Sequence, residues 1–391
     1  MGYEIIRYRP EFKDGVLKLL ESLWTLNPAA NAACLEWKYD RNPYINQPLI
    51  YLALDRGRVV GMRGMGGSKW EVGLPRQQFV IPCACDLVIA ADHRNRGVIS
   101  QIMRFAFNDL RKRGTEFVFN LSASQVTYLN SLAMGWRSIG PLHQTIWMNT
   151  RETPAGRLKR LLRHWPFAFR LAKSVKNQPF LQRCAHAMTS PSSGDARSLF
   201  SRLDRNLPTG KRNRSQIVVE KSSRTEAMAD LVERVGSDGR IRHVRDQEYF
   251  AWQFANPLRT FRFLYWGQSK LEGYLVLETG AFPRDGRHST VLVSDWEATN
   301  LEVFEALMMT AIRLGEFDEL VAWEGAVPRP ARELLTEAGF RRVSKPGGKP
   351  QYRPTVLVRA TGDNKNPAEW RLAGNPLLDA SRWDVRPIYS L

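Results

Sequence analysis

This chain has little from which to build a covalent or metal-bound framework. Its 391 residues include four cysteines, Cys34, Cys83, Cys85 and Cys184. They have no zinc-like spacing and are too few for a disulfide scaffold. Cys83 and Cys85 alternate onto one face of a predicted strand, which reads as a pair of core thiols, and no metal is expected. No run of 18 apolar residues occurs, which excludes a spanning helix. The start lacks a secretory pattern, and Ile6 stands where a myristoylation site needs Ser or Thr. Together these absences predict a cytoplasmic protein in a reducing compartment.

Acidic residues are also short. Lys and Arg number 57 against 39 Asp and Glu, a net charge of +18. The surplus is concentrated. Between Arg151 and Arg214 there are 15 Lys or Arg and three acids, two-thirds of the excess. Pro154, Pro166, Pro179, Pro191 and Pro208 punctuate the same stretch, which reads as a connector between domains. Within it Leu158, Leu161, Leu162 and Trp165 recur at helical spacing with basic residues beside them. Such a helix either packs its stripe on the domains or lies on an anionic membrane surface through 157–176, at the inner face of the membrane. Nucleic acid is the weaker partner, because no binding motif accompanies the charge.

The length suits two domains, and an internal repeat divides the chain the same way. Trp37-Lys38-Tyr39-Asp40-Arg41-Asn42-Pro43 precedes a strand pattern and then Val59-Val60-Gly61. Trp252-Gln253-Phe254-Ala255-Asn256-Pro257 precedes another strand pattern and then Leu271-Glu272-Gly273. Each half opens on an amphipathic helix, near 12–24 and 225–235, and later shows a helix ending in Gly135-Trp136 or Gly339-Phe340. Four matches in one order predict two copies of one α/β unit. The expected boundaries are 1–150, a connector at 151–214, and 215–391.

The stretch richest in chemistry is Leu87-Val88-Ile89-Ala90-Ala91-Asp92-His93-Arg94-Asn95-Arg96-Gly97-Val98-Ile99-Ser100. An apolar strand runs into a basic turn with one glycine, and a helix pattern opens directly after it. The first turn of a helix carries unpaired N–H groups and the positive end of its dipole, which suits a phosphate. Gly97 lets the backbone approach an anion, and Arg94 and Arg96 add charge.

This run resembles the pyrophosphate loop of the GNAT acetyltransferase superfamily, [Q/R]-x-x-G-x-[G/A]. Arg94 and Gly97 match its first two fixed positions, and Ile99 departs from the last. The resemblance covers most of 4–150 and, more faintly, 216–360. It implies an α/β (α+β) chain of two tandem GNAT-like domains, each a mixed, mostly antiparallel sheet flanked by helices. In the first copy Phe79–Ala90 would be the central strand and Leu142–Met148 the closing strand. Acetyl-CoA would be the co-substrate, held by Leu87, Val88, Ile89, Arg94, Asn95, Arg96, Gly97, Val98, Ile99 and Ser100. Its pantetheine arm would pair along Leu87–Ile89, with oxyanion donors at Ile89 and the residue after it. Asn120 would contact cofactor or acceptor, or cap a turn.

For acid–base work the candidates are few. Asp86 either faces the cleft as general base or is an edge carboxylate. The tyrosine that serves the superfamily as acid, four residues before the glycine, is here Ser131, and Tyr128 lies one turn earlier. In the second copy Asp295, Glu297 and Glu302 replace the basic loop, so a diphosphate would meet like charge there. The implied activity is acyl transfer to an amine of a small molecule or amino sugar. The alternatives are an aminoacyl-tRNA-dependent tandem-GNAT transferase and an inactive CoA-binding scaffold.

Overall fold

The computed structural model describes residues 2–121, 125–149, 217–267, 270–280, 290–314, 317–327, 329–342, 355–362 and 366–389. The basic connector, including 157–176, and Cys184 lie outside them. The first half runs β1 (Glu4–Arg7), α1 (Lys13–Leu20), α2 (Pro28–Leu35), β2 (Leu49–Asp55), β3 (Arg58–Val72), β4 (Gln77–Ile89), α3 (Val98–Lys112), β5 (Phe117–Asn120), α4 (Gln125–Ala133), β6 (Arg137–Pro141) and β7 (Gln144–Met148). The second runs β8 (Ile217–Glu220), α5 (Thr225–Val235), β9 (Ile241–His243), α6 (Gln247–Gln253), β10 (Arg259–Trp266), β11 (Gly273–Gly280), β12 (Thr290–Ala298), α7 (Leu301–Leu314), β13 (Glu319–Trp323), α8 (Arg329–Glu337), β14 (Arg341–Arg342) and β15 (Thr355–Ala360).

Local chemistry explains several of these boundaries. Asn27 accepts a hydrogen bond from Ala30 N, with Pro28 in the first turn, so α2 starts there. Asp246 caps α6 through Tyr249 N at 2.8 Å. Gly61 and Gly273, paired in the repeat, leave out a Cβ that would press on Val98 and Ile102 of α3, or on Val303 and Leu307 of α7. Each glycine thereby lets its helix lie close on its sheet.

Two sheets result. The main path of the first is β1-β2-β3-β4-β5-β15-β6, and the second is β8-β10-β11-β12-β13-β7-β14. Position for position they correspond, with one exchange. The expected closing strand of the first unit, β7, pairs with β13 and β14 in the second sheet. In return β15, from near the C-terminus, fills the slot between β5 and β6. The division at residue 150 is therefore not a division of the fold. Each sheet keeps a full set of strands, and the exchange ties the units together.

The shared core lies where the units meet. Trp37 and Trp252, the first residues of the two repeat motifs, stack with ring centroids 4.9 Å apart. Each indole N–H donates to the other residue's carbonyl, at 2.7 and 2.9 Å. Beside them β9 pairs with β3 and buries His243 among Trp70, Tyr249 and Tyr389. Burial pushes the His243 pKa down from 6.5 to about 4. The unfolded chain thus binds a proton there that the folded chain refuses, between about pH 6.5 and pH 4. Stability is full above that window and falls through it, by about 3 kcal/mol. Urea titrations at pH 7 and pH 4 should show that loss in the wild type and a smaller one in His243→Phe. Equal losses in both would refute the assignment.

Candidate active site

β4 and β5 run parallel but meet in register only at Cys83 and Phe119. Beyond that point they splay, and the β5-facing edge of β4 is left open from the bulge onward. The bulge is at Asp86, which the ladder skips between Arg63↔Leu87 and Gly64↔Cys85 and which has φ +44°. Past it, Ala90 N donates to Val60 O at 2.9 Å. The amide after Ile89 is therefore already engaged, contrary to the sequence expectation. By strand alternation the amides of Leu87 and Ile89 turn to the open edge instead.

Between β4 and α3 the chain makes a basic turn. Gly97 stands at φ +70° and Asn95 at +61°, both left-handed, and a Cβ built on Gly97 would meet nothing within 4 Å. Gly97 has no side chain to cap α3, and the backbone bond Gln101 N to Gly97 O closes its first turn at 3.3 Å. The amides of Val98, Ile99 and Ser100 therefore begin the helix without intrahelical acceptors. Arg94 braces the turn, its Nε donating to Ile89 O at 3.2 Å. His93 is buried and held on both ring nitrogens, by Tyr3 Oη at 3.0 Å and by Arg58 at 2.8 Å. Nε2 also lies 3.3 Å from the Asp92 carboxylate, to which Arg58 donates.

These pieces enclose a cleft of about 680 Å³. Its lining includes Leu87, Val88, Ile89, Arg94, Asn95, Gly97, Val98, Ile99 and Ser100. Arg96 is exposed beside it. Asn120, at the end of β5, is buried, opposite Leu357, and does not line it. Sequence reading missed the opposite wall, Thr127, Asn130 and Met134 of α4 and its end, together with Ser22 and Leu23 after α1. The helical spacing of 127, 130 and 134 was the available signal.

The acid–base candidates lie off this cleft. Ser131 is 2% exposed and Tyr128 packs among the side chains between α3 and the sheet. Asp86 turns to the opposite face of the sheet. Its carboxylate accepts from Tyr39 Oη at 2.6 Å and Trp24 Nε1 at 3.1 Å, and pairs with Lys38 at 2.8 Å. Burial disfavours the Lys38 charge, but Asp86 outweighs it and holds the amine protonated, above its ordinary range. Cys83 and Cys85 are buried thiols, as expected, with the Cys83 pKa pushed up to about 12 by burial. Among the described residues no group of three His, Cys, Asp or Glu could hold a metal. No described helix is long and apolar enough to cross a membrane.

The equivalent place in the second unit is closed. Only two residues separate β12 from α7, and Asn300 Oδ1 caps that helix through Val303 N at 3.0 Å. Asp295 and Glu297 do not present charge to a ligand there, as the sequence suggested. They are buried in ion pairs with Arg245, at 3.1 and 2.5 Å, and Asp295 also pairs with Arg386 at 2.9 Å. Arg386 belongs to the C-terminal segment, which lies against β12 and donates to Trp296 O.

A family model of the acetyltransferase (GNAT) domain matches residues 4–137, which span this cleft. Among solved structures, a GCN5-related N-acetyltransferase from Anabaena variabilis ATCC 29413 is similar at 12% identity and TM-score 0.56, covering 94% of this chain and 75% of that one. A probable N-acyltransferase from Enterococcus faecalis V583 follows at 11% and 0.53, covering 92% and 73%. A GCN5-related N-acetyltransferase from Kribbella flavida gives 12% and 0.52, covering 92% and 71%. At these identities the likeness is one of fold. No curated protein matches the chain. Residues 4–137 therefore carry an acetyltransferase (GNAT) domain.

Proposed function

We propose that the chain transfers an acetyl group from acetyl-CoA to an amine of a small molecule or amino sugar, with the first unit holding the co-substrate. The observation that carries this reading is the uncapped start of α3, with left-handed Gly97, at the mouth of the cleft. Backbone amides and a helix dipole aimed into an open cleft suit a diphosphate. Arg94 and Arg96 add charge, and the open edge of β4 suits the amide groups of an extended arm. The thioester supplies an activated acyl group when bound. The free amides of Leu87 or Ile89 would stabilise a developing oxyanion, and holding the amine against the acyl carbon supplies much of the acceleration. The second unit reads as a degenerate copy that binds no coenzyme, because its own Asn300 and its C-terminal segment take the corresponding places.

The test is calorimetric titration of acetyl-CoA into the wild type and into Arg94→Glu/Gly97→Glu. One site in the wild type, weakened at least about a hundredfold in the variant by reversed charge and a strained backbone, is the expected outcome. No binding to a folded wild type would sink the reading.

A further inference from the structure

The cleft has a polar end and an apolar end, and strand register fixes which is which. Cys83 of β4 stands beside Phe119 of β5, Phe119 opposite Val358 of β15, and Val358 opposite Arg137 of β6. The start of β6 is therefore level with Cys83, before the bulge at Asp86, and β6 runs parallel to β4. Helix α4 crosses from the end of β5 to that start, so Thr127 lies toward the β4–α3 turn and Met134 toward the bulge. The third wall reaches the bulge from the other face of the sheet. Leu23 and Trp24 close a turn after α1, their amides both donating to Leu20 O, at 2.9 and 2.8 Å. The Trp24 indole then donates to Asp86 at 3.1 Å, which sets its neighbour Leu23 at the level of the bulge.

At the turn end the described lining carries His93, Arg94, Asn95, Ser100 and Thr127. At the bulge end it is Leu87, Val88, Leu23, Ala133 and Met134, with Ser22 the polar exception. The Ser22 hydroxyl donates to Leu19 O at 2.9 Å. Val88 packs with Leu20 and Trp24 on the α1 face. Leu23, by contrast, is 39% exposed, an apolar wall with open space before it. The cleft thus passes through the open edge of β4 to the α1 face, and among the described residues its lining there is uncharged.

A diphosphate at the start of α3 and an arm along β4 would bring the thioester to the Leu87 end of the open edge, next to the bulge. An acetyl group ends there and leaves Leu23 bare. A longer chain continues in the same direction, through the edge and onto Leu23, and takes that apolar surface out of water. We propose that the donor class is coenzyme A thioesters of uncharged, straight acyl chains longer than acetyl, butyryl or beyond, and that Leu23 sets the preference for chain length. This rests on the proposed function and extends its donor. The reaction is the same for any chain. The amine nitrogen bonds to the acyl carbon, the carbon–sulfur bond breaks, and sulfur leaves with the electron pair and takes up the proton that the amine gives up.

The experiment titrates acetyl-CoA and butyryl-CoA calorimetrically into the intact wild type, Leu23→Ala and Leu23→Asn, and reads the ratio of the two affinities within each protein. Each buried methylene tightens binding about fourfold, so the wild type should prefer butyryl-CoA by about tenfold or more. Leu23→Ala should keep part of that preference, and Leu23→Asn, which sets a polar group against the chain, should abolish it. No preference for butyryl-CoA in a wild type that binds acetyl-CoA overturns the proposal, whatever the variants do, and leaves the proposed function standing. A preference that survives intact in Leu23→Asn overturns it as well, because the chain then lies elsewhere. Failure of both thioesters to bind the wild type removes the proposed function first, and this inference with it.

Discussion

Replacing Arg386 with methionine is expected to lower the unfolding free energy by about 3–5 kcal/mol, the usual cost of stranding a buried charge. The guanidinium is 4% exposed and pairs with Asp295 at 2.9 Å and Asp384 at 3.2 Å. Burial acts to raise the Asp384 pKa, yet Arg386 first, and Arg245 after it, outweigh that and hold the carboxyl below its usual range. Without Arg386 the cluster keeps three carboxylates against Arg245 alone, in a place water does not reach. Arg386→Lys should recover only part of the loss, because an ammonium lacks the fork that spans both carboxylates. Adding Asp384→Asn to Arg386→Met should restore stability by removing one stranded charge, a coupling that a double-mutant cycle reads directly. Urea midpoints decide the matter. A loss below about 1 kcal/mol for Arg386→Met would mean that the cluster rearranges or hydrates at little cost.

That cluster also shows where sequence reading ends. Asp295 and Glu297 were legible as acids near a helix start, and from sequence alone they look like a barrier to phosphate. Their partners lie 50 and about 90 residues away, at Arg245 and Arg386, and no local pattern announces them. Asp86 is a similar case. Its place at the end of the central strand was legible, but its face depended on a bulge, and one skipped residue turns a side chain through the sheet. The geometry of the turn between β4 and α3 was legible because it is local: strand end, left-handed glycine and helix start are consecutive. The two-unit layout was legible because the repeated Trp and Gly positions bear on packing within each copy. The exchange of β7 and β15 left no trace, since either strand meets an equivalent slot between equivalent neighbours, and the same alternation satisfies both.

The second large effect concerns Trp37 and Trp252, the point at which the repeat becomes an interface. Either residue changed to alanine is expected to cost about 3–5 kcal/mol, the range for losing a buried tryptophan with partial collapse of the cavity. The rings are 5% and 7% exposed and nearly parallel, at 11°. Trp37→Phe should cost less, because the stack survives and only the donor to Trp252 O is lost, about 1–2 kcal/mol. The double alanine variant should fall well short of the sum, since the first substitution already removes the stack that the second would break. Unfolding should remain a single transition in every variant. With β7 in the second sheet and β15 in the first, neither unit can unfold without taking a strand from the other. Calorimetry of Trp37→Ala is the deciding measurement: two resolved transitions would show that the exchanged strands do not couple the units, whereas one transition at lower temperature would show that they fold as one body.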